Sequence, residues 1–172
     1  YLCFEIDNEK LPGAIDAIRT LDMRGSNISM PNKKKVIPYL DKLDKTSQMC
    51  DAVNTIVNEH GVLTGYTTDV MGWLRALKKD GQDVKGKIIT LAGAGGAATP
   101  IAVTASLEGA KEIRIFNLDD DKWAQAVKNV ETINKETDCV ASVHHLEDKE
   151  DFKQSIAESD IYCDATSVGM NP

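Results

Sequence analysis

Residues 87–99 read K-I-I-T-L-A-G-A-G-G-A-A-T, an apolar run that passes straight into a glycine turn and out into a helix-forming segment. Ile88, Ile89, Leu91 and Ala92 have the continuous apolar character of a buried parallel strand. Gly93, Gly95 and Ala98 then fill the three small-residue positions of the G-x-G-x-x-G/A pattern. The first allows a tight turn, the second lets the backbone approach a pyrophosphate, and the third keeps the new helix close to the sheet. Free N–H groups and the dipole at that helix start attract phosphate. Strand, turn and helix in this order predict a dinucleotide site; the competing reading is an ordinary glycine-rich connection between a strand and a helix.

Working outward, the pattern downstream alternates: strand 88–92, helix 96–107, strand 112–117, helix 121–136, strand 139–143, helix 149–158 and strand 160–165. Short strands alternating with helices imply parallel pairing with right-handed crossovers, hence a doubly wound Rossmann-type sheet. Upstream, residues 1–6 alternate as a strand does, and Leu11, Ala14, Ile15, Ala17, Ile18 and Leu21 give residues 8–21 an amphipathic helical spacing. A short strand is expected at 25–29. Pro31 suits the first position of a helix carrying Asn32, Lys33, Lys34 and Lys35 in its first turn, broken or restarted by Pro38 before Leu43. Segments 52–58 and 62–66, separated by Glu59, His60 and Gly61, have hairpin spacing. Thr68 or Asp69 can cap a helix running through Met71, Leu74 and Leu77 to Lys79. The polar stretch 80–87, with Gly81 and Gly86, marks the boundary. The fold class expected is α/β: an N-terminal α/β domain over 1–80, a linker at 81–87, and a Rossmann-type domain over 88–172.

Composition limits the partners. With 172 residues, 42% of them apolar, the chain has material for real cores. A net charge of −7 opposes both a nucleic-acid footprint and an anionic membrane surface, and leaves a small metabolite as the expected partner, with a homodimer left open. No apolar run approaches the roughly eighteen residues of a bilayer span, and the opening Y-L-C-F-E-I lacks a basic segment and a signal-like core, which points to the cytoplasm. Cys3, Cys50, Cys139 and Cys163 are widely spaced without a C-x-x-C pair, so reduced buried thiols are expected rather than a disulfide or a metal site. Tyr1 begins within an expected strand and Pro172 follows a glycine turn, an arrangement expected of a fragment.

Two polar clusters stand at strand-to-helix junctions: G-S-N-I-S-M-P-N-K at 25–33, and A-V-N-T-I-V-N with G-Y-T-T-D at 52–58 and 65–69. Ligands of open α/β units bind at the carboxyl ends of strands, so Asn27, Ser29, Lys33, Asn54 and Asp69 are candidates to converge on one crevice. Turn and cap roles account for the same residue types and stay open at this point. The lysines are badly placed for stability, since cations at a helix start oppose the macrodipole by about 0.3–1 kcal/mol each. A solvated patch describes two of them. The stretch F-N-L-D-D-D at 116–121 places Asp119, Asp120 and Asp121 about 20 residues beyond the glycine loop, where an acid accepts hydrogen bonds from a ribose 2′-OH and an arginine would accommodate a 2′-phosphate. Acids alone make NAD the preferred cofactor, with NADP left open; the same acids also favour the start of the next helix.

In chain order, S-N-I-S-M-P-N-K, A-V-N-T, G-Y-T-T-D-x-x-G, G-A-G-G-A-A and A-T-S-V-G-M resemble the motifs of the shikimate dehydrogenase family, and M-P-N-K is particularly similar to its quinate/shikimate dehydrogenase branch. The resemblance covers essentially the whole chain. It implies an NAD(P)-dependent oxidoreductase of the shikimate pathway that interconverts 3-dehydroshikimate and shikimate, or 3-dehydroquinate and quinate, in a cleft between a substrate domain and a Rossmann domain. By position, Lys33 matches the family's active-site lysine and Asp69 its partner aspartate, while Asn27, Ser29 and Asn54 match substrate-hydroxyl ligands. A lysine beside a carboxylate can bind the reacting oxygen and relay its proton; which of the two moves the proton stays open. Gly93, Ala94, Gly95, Gly96 and Ala97 match the pyrophosphate loop, Asn117 and the residues after it the adenosine ribose site, with Asp120 the first choice and Asp119 the second. Thr166, Ser167 and Met170 match a segment near the nicotinamide. The family's N-terminal S-x-S segment and its later Tyr and Gln have no counterpart here, and His60, His144 and His145 match no functional position. Two alternatives are a different two-domain Rossmann enzyme, such as a methylenetetrahydrofolate dehydrogenase relative, and a non-catalytic NAD-sensing module; neither needs the set Asn27, Lys33, Asn54 and Asp69.

Overall fold

Leu11, Ile15 and Ile18 line one stripe of α1 (Leu11–Thr20) and are buried, as their spacing requires. They pack against Val36, Val53, Ile56 and Leu63 to form a core, where each such side chain contributes about 1.5–3 kcal/mol relative to exposure. The structure, a computed structural model, describes residues 1–169. Its contacts divide it into two compact units, Tyr1–Asp69 and the remainder from Val70.

The first unit holds a sheet of order β1-β3-β4-β2, built from β1 (Gly25–Asn27), β2 (Lys42–Leu43), β3 (Thr55–Glu59) and β4 (Val62–Tyr66). The β3–β4 hairpin turns on His60 and Gly61 at φ 54° and 87°, and positive φ at both central residues matches the twist of the flanking strands. β1 lies antiparallel to β3 with Asn27 opposite Thr55. β2 runs parallel to β4. A short helix absent from the sequence reading, α2 (Lys45–Cys50), is capped by Asp44, whose side chain accepts from Ser47 N.

Two expectations for this unit fail. Residues 1–6 form no strand, because alternation becomes a strand only where a ladder receives it, and Tyr1, Leu2 and Phe4 remain exposed. No α-helix starts at Pro31 either. The Met30–Pro31 bond is cis, and the segment after Pro31 makes tight turns before a single 3-10 turn at Ile37–Tyr39 that contains Pro38. An α-helix from Pro31 would need an N–H at Pro38, which proline lacks. Lys33, Lys34 and Lys35 therefore face no α-helix dipole.

In the second unit, α3 (Asp69–Lys79) leads into β5 (Ile88–Ala92), α4 (Ala98–Leu107), β6 (Glu112–Asn117), α5 (Trp123–Glu136), β7 (Val140–His145), α6 (Lys149–Glu158) and β8 (Ile161–Asp164). The strands pair in parallel in the order β7-β6-β5-β8. The chain steps from β5 outward through β6 to β7, then crosses to the far side of β5 for β8. That reversal makes the carboxyl end of β5 the topological switch point, the usual ligand position of an open α/β sheet. The segment 81–87, expected as a linker, is instead tied into this unit: Val84 is fully buried, Gly86 N donates to Gly109 O at 2.8 Å and Lys111 N to Lys87 O at 2.9 Å. Its polar composition describes a surface loop, but one valine anchors it.

Candidate active site

Backbone hydrogen bonds of the first unit gather the polar residues of its two sequence clusters. Ile28 N donates to Asn54 O at 2.7 Å and Val53 N to Lys33 O at 2.8 Å, so the turns carrying Asn27 and Lys33 are fastened to the segment leading into β3. Asn54 N in turn donates to Tyr66 O at 3.0 Å, next to the residues that open α3. The side chains then form one connected set. Lys33 Nζ lies 2.6 Å from Asp69 Oδ2, and Asn54 Nδ2 donates to Asp69 Oδ1 at 2.5 Å. Asn54 Oδ1 accepts from Thr68 N at 3.0 Å and from the hydroxyls of Thr55 at 3.1 Å and Thr68 at 3.2 Å. Asn27 Nδ2 donates to Thr55 Oγ1 at 3.2 Å.

Four of the five candidates from the first unit thus belong to one network. Ser29 is the exception: it is exposed, and its carbonyl accepts from Asn32 N at 2.9 Å while its hydroxyl stands outside these bonds. Thr55 and Thr68 were missed as members. Both stand beside a chosen residue, but a threonine in a β-rich run reads as a strand former and one before an aspartate as a cap. Lys34, taken for a solvated lysine, pairs with Asp51 at 2.6 Å, and Lys35 is exposed.

Stability does not explain the Lys33–Asp69 pair. Their side chains are 31% and 53% exposed, and pairs of that kind contribute about 0–1 kcal/mol. Chemically the set is more telling. Both oxygens of Asp69 are engaged, while the Lys33 ammonium carries three N–H donors of which Asp69 takes one. The remaining donors suit an oxygen-bearing ligand.

The second unit carries the glycine loop. Gly93 has φ 96°, and a Cβ there would stand 3.0 Å from Ala165 O, so both conformation and space require glycine. A Cβ on Gly95 would meet no atom within 4 Å, so the protein itself does not demand a glycine at that position. Ala94 and Ala98 are buried at 3% and 1% exposure. Gly96 and Ala97 are exposed, and no side chain caps α4; Thr99 N already donates to Gly95 O at 3.1 Å and Pro100 has no N–H, so an anion would meet the N–H groups of the loop before Thr99. The A-T-S turn after β8 lies against this loop through Ala165 O. Thr166 N and Oγ1 donate to Asp164 Oδ1 at 2.9 and 2.7 Å, which holds the Asp164 carboxyl below its ordinary range. Ser167 is exposed, and Met170 lies outside the described residues.

At the end of β6, Asn117 is buried and its Nδ2 donates to Leu118 O at 2.8 Å and Asp120 Oδ1 at 2.9 Å. Asp120 Oδ1 also accepts from Lys122 N at 2.9 Å. Asn117 therefore shapes the turn, and Asp120 ties the turn to the start of α5. Asp119 is exposed, and Leu118 is 48% exposed.

The cysteine and histidine side chains take no part in the hydrogen bonds described for either site, although His145 pairs with Asn117 in the β6–β7 ladder. Burial pushes the Cys50 thiol up to about 12 and the Cys139 thiol up to about 11, and raises Cys163 as well. Cys3 is exposed, contrary to the expectation of four buried thiols. His144 and His145 end β7, where His144 Nδ1 meets Asp151 Oδ2 at 2.7 Å and His145 stacks on Trp123. Among the described residues no group of three or more His, Cys, Asp or Glu side chains is placed to hold a metal, and no helix is long and apolar enough to cross a membrane.

Comparison with known proteins finds relatives along the whole of this chain. The family model described as "Shikimate dehydrogenase substrate binding domain" matches residues 1–56. The shikimate dehydrogenase (NADP(+)) of Streptococcus uberis is 55% identical over 100% of this chain and 59% of its own length. The quinate/shikimate dehydrogenase of Escherichia coli is 45% identical over 100% of the chain and 60% of its own length. A crystal structure of shikimate 5-dehydrogenase from Listeria monocytogenes in complex with shikimate and NAD superposes with a TM-score of 0.97 at 50% identity, over 100% of this chain and 60% of that one. The chain spans about three fifths of the length of the curated relatives it matches.

Proposed function

We propose that the chain belongs to the shikimate dehydrogenase family, as its 55% identity to one such enzyme and its match to the substrate-binding-domain model support, and that it serves an NAD(P)-dependent oxidoreductase interconverting shikimate and 3-dehydroshikimate, or quinate and 3-dehydroquinate. The observation that carries the reading is the Lys33–Asp69 pair braced by Asn54. The first unit would hold the polyol acid, with Asn27, Ser29 and Asn54 recognising ring hydroxyls. Amides and hydroxyls suit such a substrate, because an analogue lacking an OH leaves a buried partner unpaired. Oxidation of a carbinol releases a proton from its oxygen as the hydride departs, and reduction of the ketone requires one. Lys33 would bind that oxygen and Asp69 would orient the ammonium, the two forming the route for the proton.

The second unit fits a dinucleotide on its own geometry: Gly93 is confined by Ala165, Gly95 opens onto empty space, and α4 starts without a side-chain cap. When bound, NAD(P) accepts or supplies the hydride. Gly93 to Ala97 would hold its pyrophosphate, and Thr166 and Ser167 would stand near the nicotinamide. We place the ribose 2′-OH at Asp120 or Asp119, and on that ground NAD is preferred over NADP. Relatives bearing the name NADP(+) and a relative solved with NAD leave both nucleotides within the family's range. Following the absorbance of reduced nicotinamide with shikimate and with quinate tests the reading: reduction of NAD(P) that requires one of these acids supports it, and none with either overturns it.

A further inference from the structure

We infer that Thr55 is a positioning residue, whose hydroxyl helps fix which end of both the Asn27 and the Asn54 amide faces the substrate. This rests on the proposed dehydrogenase reading and adds a residue to it. A carboxamide has a donor end and an acceptor end of nearly the same shape, so its orientation is set by its partners. Asn27 and Thr55 are directly opposed in the β1–β3 ladder, and their side chains share one face of the sheet. There Thr55 Oγ1 accepts from Asn27 Nδ2 at 3.2 Å and donates to Asn54 Oδ1 at 3.1 Å. Only a hydroxyl does both. The first bond turns Asn27 Oδ1 away from Thr55 and toward the Tyr1 hydroxyl, which donates to it at 2.5 Å, and the second acts with Thr68 N and Oγ1 to hold Asn54 with Nδ2 toward Asp69 Oδ1. One hydroxyl thereby links two expected substrate ligands, Asn27 and the Asn54 amide that braces the Lys33–Asp69 pair, and is the bond they share.

The test replaces Thr55 by valine and by serine in the full chain, with Asp69→Asn measured alongside. Valine keeps the branched shape that β3 favours and removes only the hydroxyl. Misplacement of reacting groups by less than about 1 Å costs up to about a hundredfold, so Thr55→Val is expected to lower kcat/KM for the polyol acid by about tenfold or more, leaving KM for the nucleotide unchanged. The loss should persist well below the melting transition, where all molecules are folded. Thr55→Ser recovers most of the loss. A residue that only stabilised the sheet would lower the melting temperature and leave kcat/KM below the transition in place. Wild-type kcat/KM below the melting transition in Thr55→Val, with Asp69→Asn impaired, overturns the role of Thr55 and leaves the dehydrogenase reading standing. Full activity in Asp69→Asn overturns both.

Discussion

Lys33 Nζ and Asp69 Oδ2 meet at 2.6 Å although 36 positions separate them in the sequence. Neither residue needs the other for folding: the pair is half open to solvent, and Asn54 already engages the second carboxylate oxygen. A contact so long in range and so small in stabilisation is what a functional pair looks like.

Replacing either member separates chemistry from folding. Lys33→Ala should lower kcat by about 10² to 10⁴-fold, the usual weight of a positioned acid or base, with nucleotide affinity unchanged because the glycine loop belongs to the other unit. Asp69→Asn should also slow turnover while altering stability by less than about 1 kcal/mol. Lys35→Ala, at an exposed position, serves as the control with parental rate. Steady-state rates and thermal melts of the three variants decide the matter, and parental kcat in Lys33→Ala would remove that lysine from the mechanism.

The two glycines of the loop should fail in different ways. Gly93→Ala forces an L side chain to φ 96° and places a methyl 3.0 Å from Ala165 O, a strain of about 1–3 kcal/mol that lowers the melting temperature. Gly95→Ala meets no protein atom and should melt like the parent. It should nevertheless bind NAD more weakly, because its methyl occupies the approach to the pyrophosphate. Nucleotide titration of a stable Gly95→Ala variant gives the answer, and parental affinity there would argue for an ordinary connecting loop.

Cofactor preference should follow residues 117–121. A 2′-phosphate at this turn meets Asp119, Asp120 and Asp121 with Leu118 where an arginine would be needed. We expect higher kcat/KM with NAD than with NADP, and a narrowed ratio in Leu118→Arg, whose position is 48% exposed and tolerant of a long side chain. Asp120→Ser should narrow it further, at about 1 kcal/mol of stability for the bonds from Asn117 and Lys122 N. A clear preference for NADP in the unaltered protein would contradict the assignment.

Acid stability provides a check on the second sheet that does not depend on activity. Ile88 N and the Lys87 ammonium hold the Asp160 carboxylate below its ordinary range. A depressed carboxylate stabilises the fold above its unfolded pKa, and that contribution disappears as pH falls through the folded value. Asp160→Asn should therefore melt lower than the parent at neutral pH, and the gap should close below about pH 4. A gap that persists unchanged in acid would show that the bond geometry, not the charge, matters.

What was legible in the sequence was local. The run from Ile88 to Ala98 carries strand, turn and helix within one short span, and the boundaries of β6 and α6 follow from periodicity alone. The hairpin at His60–Gly61 is equally local. Residues 31–36 were misread because Pro31 suits a turn as well as a helix start, and with Pro38 ending any helix so soon the segment is too short to propagate one. Val84 was invisible for a different reason: one apolar residue in a polar stretch shows no period, yet it anchors the whole segment. Asn27, Lys33, Asn54 and Asp69 were legible as candidates from two polar clusters beside β1 and the β3–β4 hairpin, and hydrogen bonds connect them. The hydroxyl connections of Thr55 and Thr68 were not, because Thr55 meets Asn27 through the register of β1 against β3 and Thr68 meets Asn54 through the register of β3 against β4, and residue type alone shows neither.

The central claim is that the Lys33–Asp69 pair and the glycine loop serve one oxidoreductase. Incubating the full chain with NAD and either shikimate or quinate, and following the absorbance of reduced nicotinamide, tests it most directly. The account predicts growth of that absorbance only when nucleotide and polyol acid are both present, and its loss in Lys33→Ala. No growth with either acid and either nucleotide, or equal growth in Lys33→Ala, would contradict it.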